Sequence, residues 1–319
     1  MWAVTIVDGG LQWKQQADPV AGDHEIVVAV RAAGLNAADR LQQLGLYPAP
    51  AGVPADIPGL ELAGEVVAVG ARTSRFGIGD RVMAVVGGGG QAEMAAVDER
   101  CALAVPDGLP WEEAGGFPEV FSTAYDALFS QCGLAMGERV LVTAAAGGVG
   151  TAGVQLAATA GATVVASVRS AERRAAVVAL GAAAAVAPEE ALAMGPFDVA
   201  LELVGGSSLP GVLNAMAVGG RIVVIGVGGG GGRAELDLMV LMHRRARISA
   251  STLRARSVLE KASVAGAVDA HVLPHLASGR IRVPVEATFP MDRADEAYAH
   301  FATGGKLGKI VLVAPGPPS

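Results

Sequence analysis

Cysteine is nearly absent from this chain. Cys101 and Cys132 are the only two in 319 residues. That is too few for a disulfide scaffold, and their separation reads as reduced thiols of a cytoplasmic protein. Aromatic residues are also scarce, at 4%, which leaves little surface for stacking nucleic-acid bases. Basic charge is in deficit: 24 Lys and Arg stand against 31 Asp and Glu, a net −7. The deficit lies in residues 1–115, which carry 7 basic and 15 acidic side chains. With no strongly basic stretch, a nucleic-acid partner is not expected. The N-terminal MWAVTIVDGG has neither a basic leader nor a long apolar core, so no signal peptide is read there.

Glycine and small apolar residues dominate instead. There are 44 glycines, and hydrophobic residues reach 52% while charged ones stay at 17%. That balance excludes a disordered chain. The glycines follow no triplet period, which excludes collagen. Val140 to Val168 carries no charge and is long enough to cross a bilayer. However, Gly147, Gly148, Gly150, Gly153 and Gly161 interrupt it, and Val-rich ends flank an Ala-rich middle. It reads as strand, loop, helix and strand, so no membrane span is expected.

The length suggests about two domains. Through the first third, Val-rich runs such as Ile26–Val30, Glu65–Val69, Arg81–Val85 and Glu93–Val97 alternate with Gly, Pro and Asp turns. Pro48, Pro50, Pro54 and Pro58 mark an extended loop, and Gly87–Gly90 reads as a floppy one. From about residue 122 the rhythm changes. Strands are expected at Arg139–Thr143, Thr163–Val168, Asp198–Leu203 and Arg221–Ile225. Helices are expected after the first glycine loop, at Glu172–Leu180, and at Leu209–Ala217, the last stopped by Gly219-Gly220. Continuous apolar strands joined by helices predict a parallel sheet covered on both faces. Helix-like stretches at Val258–Ala267 and Val272–Ala277 precede a return to β character at Val283–Phe289 and Lys309–Val313. The expectation is an α/β chain with a discontinuous first domain, 1–121 with 257–319, and a second domain, 122–256. The run Gly228–Gly232 reads as a flexible loop.

The most informative stretch is Thr143-Ala-Ala-Ala-Gly-Gly-Val-Gly-Thr-Ala-Gly153. Gly148, Gly150 and Gly153 satisfy G-x-G-x-x-G between a strand and a helix, the setting a dinucleotide fingerprint requires. A tight turn there needs a residue free at positive φ. A pyrophosphate must approach backbone where a Cβ would collide. The helix N-terminus offers N–H groups and the positive end of its dipole, and Gly153 lets helix and strand pack closely. In so glycine-rich a chain the pattern also occurs as a plain turn, and the flanking elements favour the dinucleotide. Ala146, Gly147, Gly148, Val149 and Gly150 are the candidate cradle. No nucleoside-triphosphatase motif G-x-x-x-x-G-K-[ST] occurs.

The next strand bears on which dinucleotide binds. NAD sites usually place Asp or Glu at its end. Here Ala166-Ser167-Val168 leads into Arg169-Ser170, with Arg173 and Arg174 close behind and no carboxylate before Glu172. Arg169 and Arg173, with the Ser170 hydroxyl, suit a 2′-phosphate, so NADPH is the expected cofactor. Two arginines at a helix start also suit a plain solvated surface.

Further segments extend the pattern: Asn36-Ala-Ala-Asp39, Gly45-Leu-Tyr47-Pro, Pro58-Gly-Leu-Glu-Leu-Ala-Gly64, Gly79-Asp-Arg-Val82, Pro118-Glu-Val-Phe-Ser-Thr-Ala-Tyr125, Ser251-Thr-Leu-Arg-Ala-Arg256 and Gly308-Lys-Ile-Val-Leu312. With them the chain resembles the medium-chain dehydrogenase/reductase superfamily, and within it the zinc-free quinone oxidoreductases related to ζ-crystallin. The resemblance spans nearly the whole chain. It implies a GroES-like β-rich catalytic domain plus a Rossmann domain with a doubly wound parallel sheet. It also implies an active-site cleft between the domains and a homodimer or homotetramer. The implied chemistry is metal-free hydride transfer from NADPH to a quinone or enone.

The same resemblance assigns roles to residues. Tyr47 matches a tyrosine near the nicotinamide, a hydrogen-bond or proton donor to a developing oxyanion. The alternative for Tyr47 is plain packing beside Pro48. Asn36 matches a polar residue near the cofactor, and Thr123 one on the nicotinamide side. Gly226 and Val227 fall at the cofactor past the fourth strand, and Ser251 to Leu253 near the nicotinamide. Asp39 and Lys309 are expected to be structural. Val186-Ala187-Pro188 lacks a tyrosine that some relatives use at the 2′-phosphate or adenine, a loss for which Arg169 is expected to compensate.

Zinc-dependent relatives carry a Cys soon after the early strand and a His in Gly-His-Glu. Here those regions read Gly34-Leu-Asn-Ala-Ala-Asp39 and Gly59-Leu60-Glu61, and the four-cysteine lobe is missing. The five histidines, at 24, 243, 271, 275 and 300, make no ligand cluster, and Pro274 interrupts the pair at 271 and 275. No metal is expected. Two alternative functions remain open. A 2-enoyl thioester reductase on the same fold would want a basic path for a phosphopantetheine or CoA phosphate, against which the acidic first domain speaks. A non-enzymatic NADPH-binding protein, crystallin-like or RNA-binding, is disfavoured by the charge and the few aromatics.

Overall fold

Eleven residues, Glu25–Leu35, form the spine of the first unit. Their run EIVVAVRAAGL is β-branched and alanine-rich, and nearly every side chain is buried. This strand pairs antiparallel with Glu61–Val69, Met94–Asp98 and Lys309–Val313. Arg81–Val85 and Ala102–Ala104 extend the sheet on one side, and Val285–Pro290 closes the other, parallel to Lys309–Val313. A separate hairpin, Trp2–Val7 with Gly10–Gln15, turns at Asp8 and Gly9. Both turn residues have positive φ, at 50° and 80°, as a tight hairpin turn of this hand requires.

The computed structural model describes residues 1–314. It divides into two units, Met1–Ser122 with the chain from Leu253 onward, and Thr123–Thr252. The second crossing falls before Leu253 and Arg254, whose side chains are buried in the first unit.

The second unit is a six-stranded sheet. Its spatial order is Ala184–Val186, Thr163–Ser167, Arg139–Val142, Phe197–Glu202, Met216–Val224 and Arg247–Ala250, with every pair parallel. Numbered along the chain this is 3-2-1-4-5-6, the order that places a ligand at the carboxyl ends of the central strands. The strands are short and almost wholly apolar, as burial on both faces demands. The expected fold is therefore present: a β-rich first domain and a doubly wound parallel-sheet second domain. Among the described residues no helix is long and apolar enough to cross a membrane.

Two local expectations need correction. The helix expected over 209–217 stops at Asn214, and Met216 already begins a strand. Gly219, at φ 83°, lies inside that strand, which shifts register against Phe197–Glu202. Burial of Met216 beneath the sheet overrides the helical propensity of Ala215-Met216-Ala217. Gly87–Gly90 is no floppy loop, since all four glycines are buried. Gly89 N–H donates to Ile57 O and Gly90 N–H to Gly59 O. A Cβ at Gly90 would meet Glu61 O at 2.9 Å. The run Gly228–Gly232 is a loop as expected, mostly exposed and tied at its middle, where Gly230 N–H donates to Val204 O, and Gly206 and Ser207 donate back to Gly231 and Gly230. Composition alone could not show either partner strand of backbone.

Candidate active site

In the second unit, the strand Arg139–Val142 runs through Thr143–Gly147 into the helix Gly148–Thr159. Gly147 is the residue before the helix, and the N–H groups of Gly148, Val149 and Gly150 form its first turn. Those N–H groups have no carbonyl four residues back within the helix, which leaves them to an anion. The positive φ in this loop belongs to Ala144, at 45°, while Gly147 has φ −74°. The glycines here therefore serve close approach. A Cβ on Gly150 would lie 2.6 Å from Ala144 O and Ala145 Cα. A Cβ on Gly153 would meet Leu201 Cδ2 at 2.5 Å, so helix and strand touch there. Thr143 Oγ1 accepts from Leu203 N at 2.7 Å and joins the loop to the next strand end.

The strand Thr163–Ser167 ends without a carboxylate, and Ser170 stands just before the helix Ala171–Val178, its hydroxyl making no capping bond. Arg169 is exposed, and Ser170 and Arg173 are half-buried. Arg174 turns back to the Val168 carbonyl at 3.2 Å. The three candidates for the 2′-phosphate thus follow one strand end together.

On the other side of the central strand, Gly226 follows Met216–Val224, and a Cβ there would lie 2.6 Å from Leu203 O. Val227 is exposed. Ser251 follows the edge strand, and its hydroxyl donates to Asp126 Oδ2 at 2.6 Å. Asp126 opens a π-helical stretch, Asp126–Gln131, three residues after the buried Thr123. Sequence reasoning missed Asp126, although a wide helical turn often marks a functional segment. It also missed Glu202, fully buried at a strand end. Its carboxylate accepts from Val204 N, Gly205 N and Ser208 Oγ at 2.7, 2.9 and 3.1 Å and shapes the loop against which the glycine run packs.

The first unit contributes a buried polar cluster. Lys309, 2% exposed, donates to Leu35 O, Asn36 Oδ1 and Glu61 Oε1 at 2.9, 2.6 and 2.7 Å. These three acceptors use all three ammonium protons. Asn36 Nδ2 donates to Glu61 Oε1 at 2.9 Å, and Glu61 Oε2 accepts from Glu119 N at 2.8 Å. Both ends of the Asn36 amide are therefore occupied. Gly34 makes room for this, since a Cβ there would lie 2.1 Å from Glu61 Oε1. Asp39 accepts from Asn36 N and Gly59 N at 2.8 and 3.0 Å. Burial nonetheless pushes its pKa up to about 6. The cluster does not suit zinc. The ammonium of Lys309 stands among the oxygens a dication would need, and buried Leu60 offers no donor. Among the described residues no three His, Cys, Asp or Glu are grouped to hold a metal ion.

Tyr47 lies in the irregular stretch after the helix Ala37–Gln43 and is half-buried. Its carbonyl and ring are both held by Arg254. Leu253 is buried in the first unit, lining a cavity of about 10 Å³ with Cys101, Ser122 and Lys261. Burial pushes the Cys101 and Cys132 thiols up to about 11, and both are free. Neither is a ready nucleophile.

A glycine-built helix N-terminus on a 3-2-1-4-5-6 parallel sheet, in a chain that also holds a β-rich unit, is the architecture of a dinucleotide-binding protein. The alcohol dehydrogenase GroES-like domain family matches residues 22–107, and the zinc-binding dehydrogenase family matches residues 148–266. The quinone oxidoreductase of Thermus thermophilus, solved alone and with NADPH, superposes with a TM-score of 0.84 at 35% identity, covering 98% of this chain and 100% of that one. The CurK enoyl reductase superposes with a TM-score of 0.84 at 26% identity, covering 98% of each chain. Polyketide synthase GfsB of Streptomyces halstedii is 32% identical over 310 residues, 96% of this chain but 5% of the synthase. The chain belongs to the medium-chain dehydrogenase/reductase superfamily, in its quinone oxidoreductase-like family.

Proposed function

We propose that the chain is an NADPH-dependent reductase that delivers hydride to quinones or related conjugated carbonyls without a metal. The observation that carries this is the strand end Ser167, with no carboxylate there and Arg169, Ser170 and Arg173 directly after it, next in the sheet to a glycine-built helix N-terminus. When bound, the reduced nicotinamide supplies the hydride. Ala146, Gly147, Gly148, Val149 and Gly150 hold the pyrophosphate on backbone N–H groups. Arg169 and Arg173 take the 2′-phosphate with charge-assisted bonds, and Ser170 adds a hydroxyl. Thr123, Gly226, Val227, Ser251 and Leu253 serve the nicotinamide half. Tyr47 donates to the oxyanion developing on the substrate carbonyl, and Asn36 fixes the polar cluster behind that segment. A cytoplasmic setting suits two unpaired thiols.

Two observations support a homodimer. The strand Arg247–Ala250 is the last of its sheet, and the nearby helix Leu238–Arg244 leaves Leu238, Met239 and Met242 exposed. Sedimentation at micromolar concentration gives twice the chain mass if this holds.

Arg169→Ala with Arg173→Ala is expected to weaken NADPH far more than NADH, read as Kd by fluorescence titration. Equal losses for both cofactors would contradict the phosphate assignment. A second reading, reduction of 2-enoyl thioesters, draws support from the similarity to the CurK enoyl reductase. NADPH oxidation with phenanthrenequinone, benzoquinone and crotonyl-CoA in parallel separates the two. Quinone turnover is expected, and turnover of the thioester alone transfers the conclusion to the second reading.

A further inference from the structure

Arg254 is a buried cation whose hydrogen bonds all go to neutral acceptors, with the Asp39 carboxylate near it but not bonded to it. It is 4% exposed. Its Nε donates to Gly87 O at 2.8 Å, Nη1 to Tyr47 O at 2.9 Å and Nη2 to Gln42 Oε1 at 2.6 Å. Its guanidinium carbon also lies 5.0 Å from the centroid of the Tyr47 ring. The acceptors come from three separate pieces of chain: the end of the helix Ala37–Gln43, the Tyr47 stretch and the Gly87 turn. Gln42 carries the chain of bonds further, because its Nε2 donates to Ala55 O at 2.9 Å. Both ends of the proline-rich stretch 47–55 are therefore tied to one guanidinium, directly at Tyr47 and through Gln42 at Ala55.

A buried cation with no carboxylate hydrogen-bonded to it is a poor way to gain stability, since a well-packed apolar side chain would avoid the desolvation cost. What the guanidinium offers is geometry. Its planar fork reaches several acceptors in fixed directions while its face stacks on an aromatic ring. Lysine has one nitrogen and no such face.

We propose that Arg254 is the positioning residue for Tyr47. It fixes the 47–55 stretch against the Gly87 turn and holds the phenol ring in a single orientation. Its effect on turnover rests on the reading of Tyr47 as the donor to the substrate oxyanion, but its effect on the loop does not. The two are therefore measured separately, on the full chain, by amide hydrogen exchange and by steady-state kinetics with NADPH and phenanthrenequinone.

In Arg254→Lys, exchange of the amides in residues 44–57 is expected to rise by about tenfold or more, the scale set by losing buried hydrogen bonds. Exchange in the strand Glu25–Leu35 stays unchanged. In the same variant kcat is expected to fall by about 10²-fold with NADPH Kd unchanged, and adding Tyr47→Phe causes little further loss. Wild-type protection of residues 44–57 in folded Arg254→Lys overturns the clamp. Additive kcat losses in the double variant overturn the coupling to Tyr47. If Tyr47→Phe alone is silent while Arg254→Lys loosens the loop, the clamp stands and the proton-donor role of Tyr47 falls. Should Arg254→Lys not fold, Gln42→Leu cuts only the Ala55 arm. Faster exchange confined to the Ala55 end is then expected, and unaltered exchange overturns the proposal.

Discussion

The first unit keeps Lys309, Glu61, Asn36, Asp39 and Arg254 inside, and each ties an irregular stretch of backbone to its surroundings. The second unit buries no Lys or Arg side chain among the described residues, and fixes its equivalent stretches by letting backbone touch backbone at Gly150, Gly205, Gly206 and Gly226, a device the first unit also uses at Gly59, Gly64 and Gly70. One of its two buried carboxylates, Glu202, is satisfied by backbone N–H groups and a hydroxyl, not by a cation. The difference follows from the two architectures. An antiparallel sheet with long excursions, such as residues 44–60, needs cross-links between distant segments. A parallel sheet wrapped in helices needs mainly that its elements approach closely.

The largest effect that tests this contrast is expected at Lys309. Lys309→Met leaves the fully buried Glu61 carboxylate without its cation, and should cost about 3–5 kcal/mol of stability, read by urea denaturation. A loss below about 1 kcal/mol would mean that buried charge does not hold the first unit together. Next comes Gly150→Ala, whose methyl meets backbone atoms at 2.6 Å. Overpacking against backbone that cannot move costs about 1–3 kcal/mol, and NADPH binding, read by titration, should weaken at least about tenfold. Wild-type affinity would show that the loop relaxes.

A pH dependence of similar size is expected from Asp39. Its folded pKa of about 6 lies above the ordinary aspartate value of 3.8, because burial disfavours the anion. The Lys309 ammonium and two backbone N–H groups oppose the shift, and the Glu61 carboxylate adds to it. Tyr298 and Arg254 lie near the same carboxyl. A raised carboxylate pKa means the folded state holds its proton longer. Asp39 therefore contributes most stability below about pH 4 and loses that contribution as pH rises through 6. Relative to Asp39→Asn, the wild type should lose about 2 kcal/mol between pH 4.5 and 7, read by denaturation at both values. A constant difference would mean this carboxyl is not desolvated. The smallest effect is expected at Gly153→Ala. There the methyl meets only the end of a leucine side chain, and alanine favours the helix, so stability should stay within about 1 kcal/mol of wild type. A large loss would show that helix and strand cannot part.

Much of the second unit was legible from local pattern. Apolar runs of strand length, a glycine loop and apolar helices recur in order, and such signals sit within a few residues of one another. The absence of a carboxylate after Ala166 and the arginines at 169 and 173 were visible for the same reason. The strand Lys309–Val313 was legible from its own residues, as was the Ile26–Val30 run, but the pairing of the two strands was not. The polar cluster escaped because Asn36 and Lys309 are 273 positions apart. Lys309 reads in sequence only as one charge at the edge of a strand. Arg254 escaped similarly, its partners Gly87 and Gln42 being 167 and 212 positions away. Gly87–Gly90 was misjudged because composition reports freedom in the chain and not what lies against it.

By itself the sequence determined the class of each region. Periodicity sorts strand from helix, glycine spacing opens a helix N-terminus to an anion, and residue chemistry at one strand end bears on the 2′-position. Only the tertiary structure decided which buried charges meet, which glycines are packed and what holds Tyr47. Those depend on contacts between segments hundreds of residues apart, and no local pattern carries that information.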